Sequence, residues 1–181
     1  MQDSDCAPPD PSQALQDARD KPVRRATTAD AEVVRELTRA AYAKWVPLLG
    51  REPRPMTADC NAAVRDHLVD LLRVDGADVA LIEMAPTAHH LLIVNVAVAP
   101  VHQGRGYGRA MMAHAEEVAR SLGLGEVRLY TNALFTENLQ LYSRLGYRVD
   151  GEEKHPQFGG TLHMSKRLGT ADEHSSNRTA P

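Results

Sequence analysis

The glycine-rich stretch at residues 103–109 constrains this chain more than any other part of the sequence. It lies between an apolar run at residues 91–99 and a strongly helix-favouring run at residues 110–122. A glycine turn from a strand into a helix leaves backbone N–H groups unpaired, and the helix dipole adds partial positive charge there. Arg105 and Arg109 add full charges at the same place. The stretch therefore predicts a strand-turn-helix unit that binds a phosphate group.

One folded domain accounts for most of the chain. With 181 residues the chain is long enough to bury a substantial core but short for two domains. Residues 1–21 are rich in Asp, Pro, Ser and Gln, and residues 169–181 are similarly poor in groups that a core could bury. We therefore expect a flexible N-terminal tail at residues 1–21, a domain at residues 22–168 and a flexible C-terminal tail at residues 169–181.

Charge and composition argue against several classes of protein. The net charge is −3 and there is no long basic block, so we expect no binding to nucleic acid. The longest apolar run, residues 91–101, contains Asn95 and Pro100 and is shorter than the about 18 residues that span a bilayer. Cys6 and Cys60 form no disulfide framework and the N-terminus is too polar for a signal peptide, which favours the cytoplasm. The eight histidines show no metal-binding spacing, so no metal is expected.

Hydrophobic periodicity and turn residues predict alternating helices and strands. Capping residues and apolar stripes indicate helices, and short apolar or alternating runs indicate strands. The predicted helices are residues 29–45, 57–73, 109–122 and 136–145, and the predicted strands are residues 23–26, 79–84, 91–99, 127–131, 147–152 and 161–167. This order is typical of a mixed α/β sheet with helices on its faces.

Two sequence segments point to a known family. Gln103, Gly106 and Gly108 fill the pattern Gln/Arg-x-x-Gly-x-Gly/Ala on the predicted turn from strand to helix. Further along, Asn138 precedes the run Leu-Tyr-Ser-Arg-Leu-Gly-Tyr at residues 141–147. In this order the two segments resemble the GCN5-related N-acetyltransferase (GNAT) superfamily. The resemblance implies an α/β fold with a mixed, mostly antiparallel sheet flanked by helices, in which the central strands splay apart.

The resemblance also implies acetyl-CoA as co-substrate. The N–H groups of residues 103–108 would bind its pyrophosphate, and glycine there lets phosphate oxygens approach the backbone. The pantetheine arm would pair with the backbone of residues 96–98. The residues expected to bind the cofactor are Val96, Ala97, Val98, Gln103, Gly104, Arg105, Gly106, Tyr107, Gly108, Arg109, Asn138 and Tyr142.

Tyr142 matches the family's general acid. A phenol with a pKa of roughly 10 stays protonated at neutral pH and can donate to a leaving thiolate. Tyr142 also shares a helical face with Leu139 and Leu145, so a purely core role is the alternative. Asn138 either contacts the pantetheine or is a polar residue of the helix N-terminus. The backbone N–H of Val98 would face the thioester oxygen.

The general base is not identified by the sequence. Asn95 stands where related sequences often have Glu, and a carboxamide cannot take the proton of the amine. Glu83, His90, His102 or a chain of waters are the alternatives.

The predicted function is transfer of acetyl from acetyl-CoA to a primary amine of a small molecule or peptide. The attack is direct, in a ternary complex, because no cysteine lies near the motif. Tyr42 and Trp45 either line the acceptor pocket or belong to the core. The alternatives in other classes are a non-catalytic acyl-CoA-binding module and an interaction protein without cofactor. The resemblance allows a homodimer but identifies no surface for it.

Overall fold

The computed structural model of the chain describes residues 22–155, 157 and 159–169. Apart from Gly169, both predicted tails lie outside the described residues. The strands are β1 (Val23–Arg25), β2 (Leu68–Val74), β3 (Ala77–Pro86), β4 (Leu91–Val98), β5 (Glu126–Asn132), β6 (Arg148–Glu153) and β7 (Thr161–Arg167). The α-helices are α1 (Ala31–Tyr42), α2 (Val46–Leu49), α3 (Arg54–Thr57), α4 (Cys60–Asp66), α5 (Tyr107–Ser121) and α6 (Thr136–Arg144). Short 3-10 helices occupy Thr28–Asp30, Ala43–Trp45 and Pro100–His102.

The seven strands form one sheet in the order β1-β2-β3-β4-β5-β7-β6. Every neighbouring pair is antiparallel except β4 and β5, which are parallel. These two strands pair only where Leu91, Leu92 and Ile93 lie opposite residues 127–129. Beyond that point they diverge. We call the gap between residues 94–98 of β4 and residues 130–132 of β5 the wedge. The splayed central strands predicted from the sequence are confirmed.

Helices cover both faces of the sheet, and the two largest core clusters lie beneath them. The larger cluster lies under α5, where Met111, Met112 and Ala115 are fully buried against β3, β4 and β5. The second cluster lies under α1 and α4, where Val34 and Leu37 pack on β2 and β3. Strand β4 contributes side chains to both clusters, since Ala97 lies on the α1 side while Val96 and Val98 pack on the α5 side.

The predicted helix at residues 57–73 is wrong. The structure has the short helix α4, whose N-cap Asp59 accepts from the N–H groups of Asn61 and Ala62, and then strand β2. The chain leaves the helix at His67, where φ is −117° and ψ is 170°. Strand β2 lies between β1 and β3 and is covered on both faces, so it carries a nearly continuous apolar run. Such a run does not distinguish a buried strand from a helix.

A β-bulge interrupts β4 next to the wedge. Glu83 of β3 lies opposite Asn95, but the next residue, Met84, lies opposite Ile93, so Val94 is the extra residue. A bulge bends a strand and re-aims the side chains that follow it. Here it occurs just where β4 stops pairing with β5, and it turns Asn95 and Ala97 towards α1. In the part of the chain that the structure describes, no helix is long and apolar enough to cross a membrane.

Candidate active site

The glycine-rich loop forms one wall of the wedge. It follows the 3-10 helix Pro100–His102 and leads into α5, whose first N–H groups have no partner within the helix. Gly104 and Gly106 have φ values of 76° and 82°, a left-handed conformation that glycine adopts at little cost. A Cβ at Gly104 would meet no atom within 4 Å. The loop therefore presents open backbone at the start of a helix, as an anion site requires.

Gln103 fixes the loop to the end of β4. Its side-chain Nε2 donates to the carbonyl of Val98 at 3.0 Å, and its Oε1 accepts from Nζ of Lys44 at 3.3 Å. Lys44 also pairs with Glu137 at the start of α6, so one ammonium group connects both walls of the wedge. Both polar atoms of the Gln103 side chain therefore form hydrogen bonds within the protein. The loop presents the backbone of Gln103, and not its side chain, to a ligand.

The remaining loop residues divide into exposed and buried side chains. Arg105 and Arg109 are exposed. The ring of Tyr107 is buried in the main core, with its centroid 6.2 Å from that of His102, so only the Tyr107 backbone can belong to the loop surface. A Cβ at Gly108 would lie 3.6 Å from Cδ2 of Leu141, which shows that α5 and α6 approach closely here.

Helix α6 forms the other wall and carries Asn138 and Tyr142. Asn138 is half-buried in the first turns of the helix. Tyr142 is 7% exposed and packs edge-on against Tyr147, with ring centroids 6.2 Å apart. Burial raises the pKa of Tyr142 to about 12. The ring therefore packs in the core, and its phenol is fully protonated at neutral pH.

A polar cluster lies beneath α1, next to the bulge. Asn95 is 6% exposed; its Nδ2 donates to Oγ1 of Thr38 at 3.1 Å, and its Oδ1 is buried without a hydrogen-bond partner among the described residues. Glu83, the cross-strand neighbour of Asn95, is 7% exposed. One of its oxygens lies 2.6 Å from Nδ1 of His67. The cluster brings a buried carboxylate beside the point where the wedge begins.

Tyr42 and Tyr130 complete this region. Burial raises the pKa of Tyr42, and the nearby Tyr142, Tyr130 and Glu83 raise it further. Burial also raises the pKa of Tyr130; the Glu83 carboxylate adds to the rise and Arg54 opposes it. Tyr42 on α1 is therefore near enough to Tyr142 on α6, Tyr130 on β5 and Glu83 on β3 to be affected by their charges.

An open cavity of about 630 Å³ adjoins Tyr130 on the outer face of the sheet. Its lining includes His90, Arg128, Asp150 and His163, together with Tyr130 itself. The volume is in the range of small-molecule sites. This space is open to solvent, and residues of β5, β6 and β7 line most of it.

The geometry agrees with what sequence comparison finds. Residues 31–147 match the model of the acetyltransferase (GNAT) family. The chain belongs to the GNAT family. A curated relative, streptothricin acetyltransferase of Streptomyces lavendulae, is 32% identical over 77 residues, which make up 42% of this chain and 41% of the relative. The chain thus aligns with less than half of that protein.

Solved structures show the same fold. The ribosomal-protein-S18-alanine N-acetyltransferase of Escherichia coli has a TM-score of 0.69 at 18% identity, covering 84% of this chain and 97% of that one. The PaiA N-acetyltransferase of Thermoplasma acidophilum, solved with coenzyme A, has a TM-score of 0.62 at 17% identity, covering 81% and 98%. Acetyl-CoA is the co-substrate of the GNAT family. The residues present fit it: β4 offers an unpaired edge for an extended arm, and the glycine loop with two arginines suits phosphates.

The segments expected to bind the cofactor lie near one another. Residues 96–98 belong to the part of β4 that does not pair with β5, Gln103 ties the loop at residues 103–109 to Val98, and α6, which carries Asn138 and Tyr142, approaches Val98 at Gly108. Among the alternatives for the base, Glu83 lies beside Asn95. His90 lies in the outer cavity and contacts Thr87, and His102 packs on the far side of the loop near Tyr107.

Sequence reasoning missed the partners of these residues. Phe135 stacks on Trp45 at a centroid distance of 4.5 Å and meets Tyr42 edge-on at 6.3 Å, so Trp45 is a core residue and Tyr42 is a half-buried one at the wedge. His67 was assigned to the interior of a helix. The sequence does single out Glu83 in one respect, because it is the only charged residue in the apolar run at residues 79–84.

Within the described residues, no group of three or more His, Cys, Asp or Glu side chains is placed to hold a metal ion.

Proposed function

We propose that this domain transfers acetyl from acetyl-CoA to a primary amine of a small molecule or peptide, by direct attack in a ternary complex. One observation carries the proposal. Glu83, a buried carboxylate, lies opposite Asn95 where the open edge of β4 begins, and α6, which carries the protonated phenol of Tyr142, approaches Val98 of that edge across Gly108. Acyl transfer to an amine needs a proton donor for the leaving group and a proton acceptor for the nucleophile, and these two groups supply both.

Each step of the chemistry has a residue of this chain for it. Acetyl-CoA supplies an activated acetyl thioester. Glu83 accepts a proton from the acceptor, which leaves the amine neutral for attack. The backbone N–H of Val98 stabilises the developing charge on the acyl oxygen. Tyr142 donates its phenol proton to the thiolate that leaves, and the second proton, which the nitrogen loses as the amide forms, restores the phenol.

A covalent intermediate on cysteine has no support. Cys60, the cysteine within the described residues, is buried, and its Sγ donates to the carbonyl of Ala58 at 3.7 Å. Burial raises the pKa of its thiol, so it is poorly suited to act as a thiolate nucleophile. The direct route remains the simpler one.

The outer cavity supports the proposed acceptor class. A space of about 630 Å³ beside Tyr130 accommodates a small molecule or the end of a peptide. The name of one relative specifies streptothricin as its substrate, and the name of one structural neighbour specifies an alanine of a ribosomal protein. We include both kinds of amine in the proposal. A cytoplasmic location and a homodimer also belong to it; a free thiol at Cys60 fits the former.

The experiment is thiol release from acetyl-CoA across a panel of alkylamines, amino sugars, amino acid amides and short peptides. We expect turnover with at least one class, and one N-acetyl product per thiol by mass spectrometry. Asn95 favours one rival, a non-catalytic acyl-CoA-binding module, because an amide replaces the expected base. Tight CoA binding without turnover for any amine would establish that rival. Absence of a thermal shift with CoA would instead indicate an interaction protein without cofactor.

A further inference from the structure

We propose that His67 is a positioning residue for Glu83 and passes the acceptor's proton from that carboxylate to solvent. The inference rests on the proposed acetyl transfer, since a proton must leave the amine. It concerns a side chain that borders neither the glycine loop nor α6. Its basis is the contact between Nδ1 of His67 and Oε1 of Glu83, at 2.6 Å.

The two side chains differ in their access to water. The side chain of Glu83 is 9% exposed, whereas that of His67 is 35% exposed. A proton that reaches Glu83 from the wedge therefore has little direct access to bulk solvent. The imidazole contacts the carboxylate through one nitrogen and has a third of its surface in solvent. It is a ready connection between the buried group and the outside.

Backbone structure holds His67 in this place. Its N–H donates to the carbonyl of Ala63 at 2.9 Å, which ends α4. The next residue, Leu68, begins β2 and lies opposite Met84, the neighbour of Glu83. The junction of α4 and β2 thus sets the imidazole beside the carboxylate. Since the junction is fixed on both sides, the contact does not depend on a mobile loop.

Among the described residues, His67 is the side chain that contacts the Glu83 carboxylate. The other titratable groups near it are Cys60 on α4, Tyr42 on α1 and Tyr130 on β5; burial raises the pKa of each, and the Glu83 charge adds to the rise. Asp66, beside His67, is paired with Arg65. A buried carboxylate without a partner is costly. His67 is therefore the group that holds and orients the Glu83 carboxylate.

The proton transfer balances. The acceptor ammonium gives one proton to Glu83 and becomes the neutral amine. The neutral carboxyl of Glu83 then donates that proton to Nδ1 of His67 in its Nε2–H tautomer, which becomes an imidazolium, and the imidazolium releases its Nε2 proton to water. His67 is left as the Nδ1–H tautomer, which donates to the Glu83 carboxylate. Proton exchange with water at the exposed ring restores the Nε2–H tautomer when Glu83 is next protonated, and no electron is exchanged.

The test compares two acceptors in His67→Gln, His67→Ala and Glu83→Gln. One acceptor is an alkylamine, protonated at pH 7, and the other is an amine of low pKa that is already neutral. We expect His67→Gln to lower kcat/KM by about tenfold to a hundredfold for the alkylamine only. The KM for acetyl-CoA should not change. Added imidazole should restore activity to His67→Ala but not to Glu83→Gln. The matched control is His89→Gln, an exposed histidine of the β3–β4 turn, which should behave as wild type.

Equal losses with both acceptors, or no rescue by imidazole, would overturn the proposal and leave His67 with a structural role. A second readout does not need turnover. In the free protein, the Nδ1 chemical shift of His67 should change in Glu83→Gln and stay constant in His89→Gln; no change would refute the contact. If the wild type releases no thiol while this shift is present, the proposed function fails and the His67–Glu83 contact stands.

Discussion

Tyr142 is the residue on which the acid role depends, and its hydroxyl can be removed without disturbing the ring. Tyr142→Phe keeps the edge-on packing against Tyr147. We expect kcat to fall about a hundredfold with little change in the KM for acetyl-CoA, because a phenol whose pKa is about 12 is lost as proton donor. Thiol release measures both constants. Tyr147→Phe is the matched control, since its hydroxyl lies 3.4 Å from Glu116, away from the wedge. An unchanged kcat in Tyr142→Phe would reduce Tyr142 to a core aromatic.

Substitutions at two glycines that share a backbone conformation can distinguish an effect on cofactor binding from an effect on stability. Gly104 in the loop and Gly123 after α5 have φ values of 76° and 73°, and a Cβ would meet no atom within 4 Å at either site. Alanine at each should therefore cost a similar amount of stability, about 1 kcal/mol, from the left-handed conformation alone. We expect only Gly104→Ala to raise the KM for acetyl-CoA, by about tenfold. Urea unfolding and steady-state kinetics measure the two effects, and equal KM values would show that the loop does not bind the cofactor.

At the level of elements, the sequence predicts best where local signals agree. The helix α5 and the strand β4 were predicted to within about two residues, because a glycine turn separates an apolar run from a helical one. Strand β2 was assigned to a helix. Its leucines, at residues 68, 71 and 72, have helical spacing, yet the strand lies between two others and is buried on both sides. Only the neighbours in the sheet reveal that environment, and a single sequence does not contain them.

The sequence likewise predicts some features of the candidate site and not others. The loop and Tyr142 lie in contiguous motifs, so the sequence was enough to single them out. The contact of His67 with Glu83 joins residues 16 positions apart through the pairing of β2 with β3, which the misassigned helix concealed. The placement of Asn95 beside Glu83 depends on a bulge that leaves no clear sequence signal. Strand register, more than residue type, decides which polar groups meet.

For the whole molecule, three buried or half-buried aspartates link stability to acidic pH. The hydrogen bond from Arg24, then those of Thr27, lower the pKa of Asp30. Burial alone would raise the pKa of Asp70 and Asp78, but hydrogen bonds from His114 and from arginines outweigh it, so both values are lowered. A carboxylate whose folded pKa lies below its unfolded value of about 3.9 stabilises the fold above that pH. This contribution is lost as the pH falls through the folded pKa.

Asp70 is the aspartate with which to test this linkage, because it joins β2 to both β1 and α5. Its carboxylate accepts from Nε of Arg25 at 2.5 Å and lies 2.8 Å from Nε2 of His114, while the residue is only 3% exposed. We expect Asp70→Asn to lower the free energy of unfolding at pH 7 by about 2 kcal/mol, since the charge-assisted contacts are lost. The deficit should shrink as the pH falls below about 4, where Asp70 of the unfolded chain binds a proton first, and disappear below the lowered pKa of the folded protein. Urea unfolding between pH 7 and pH 2.5 measures both effects.

Asp66→Asn is the matched control, because Asp66 and its partner Arg65 are both more than half exposed and their ion pair should contribute little to stability. A deficit for Asp70→Asn that stays constant with pH would show that Asp70 acts through packing and not through its charge.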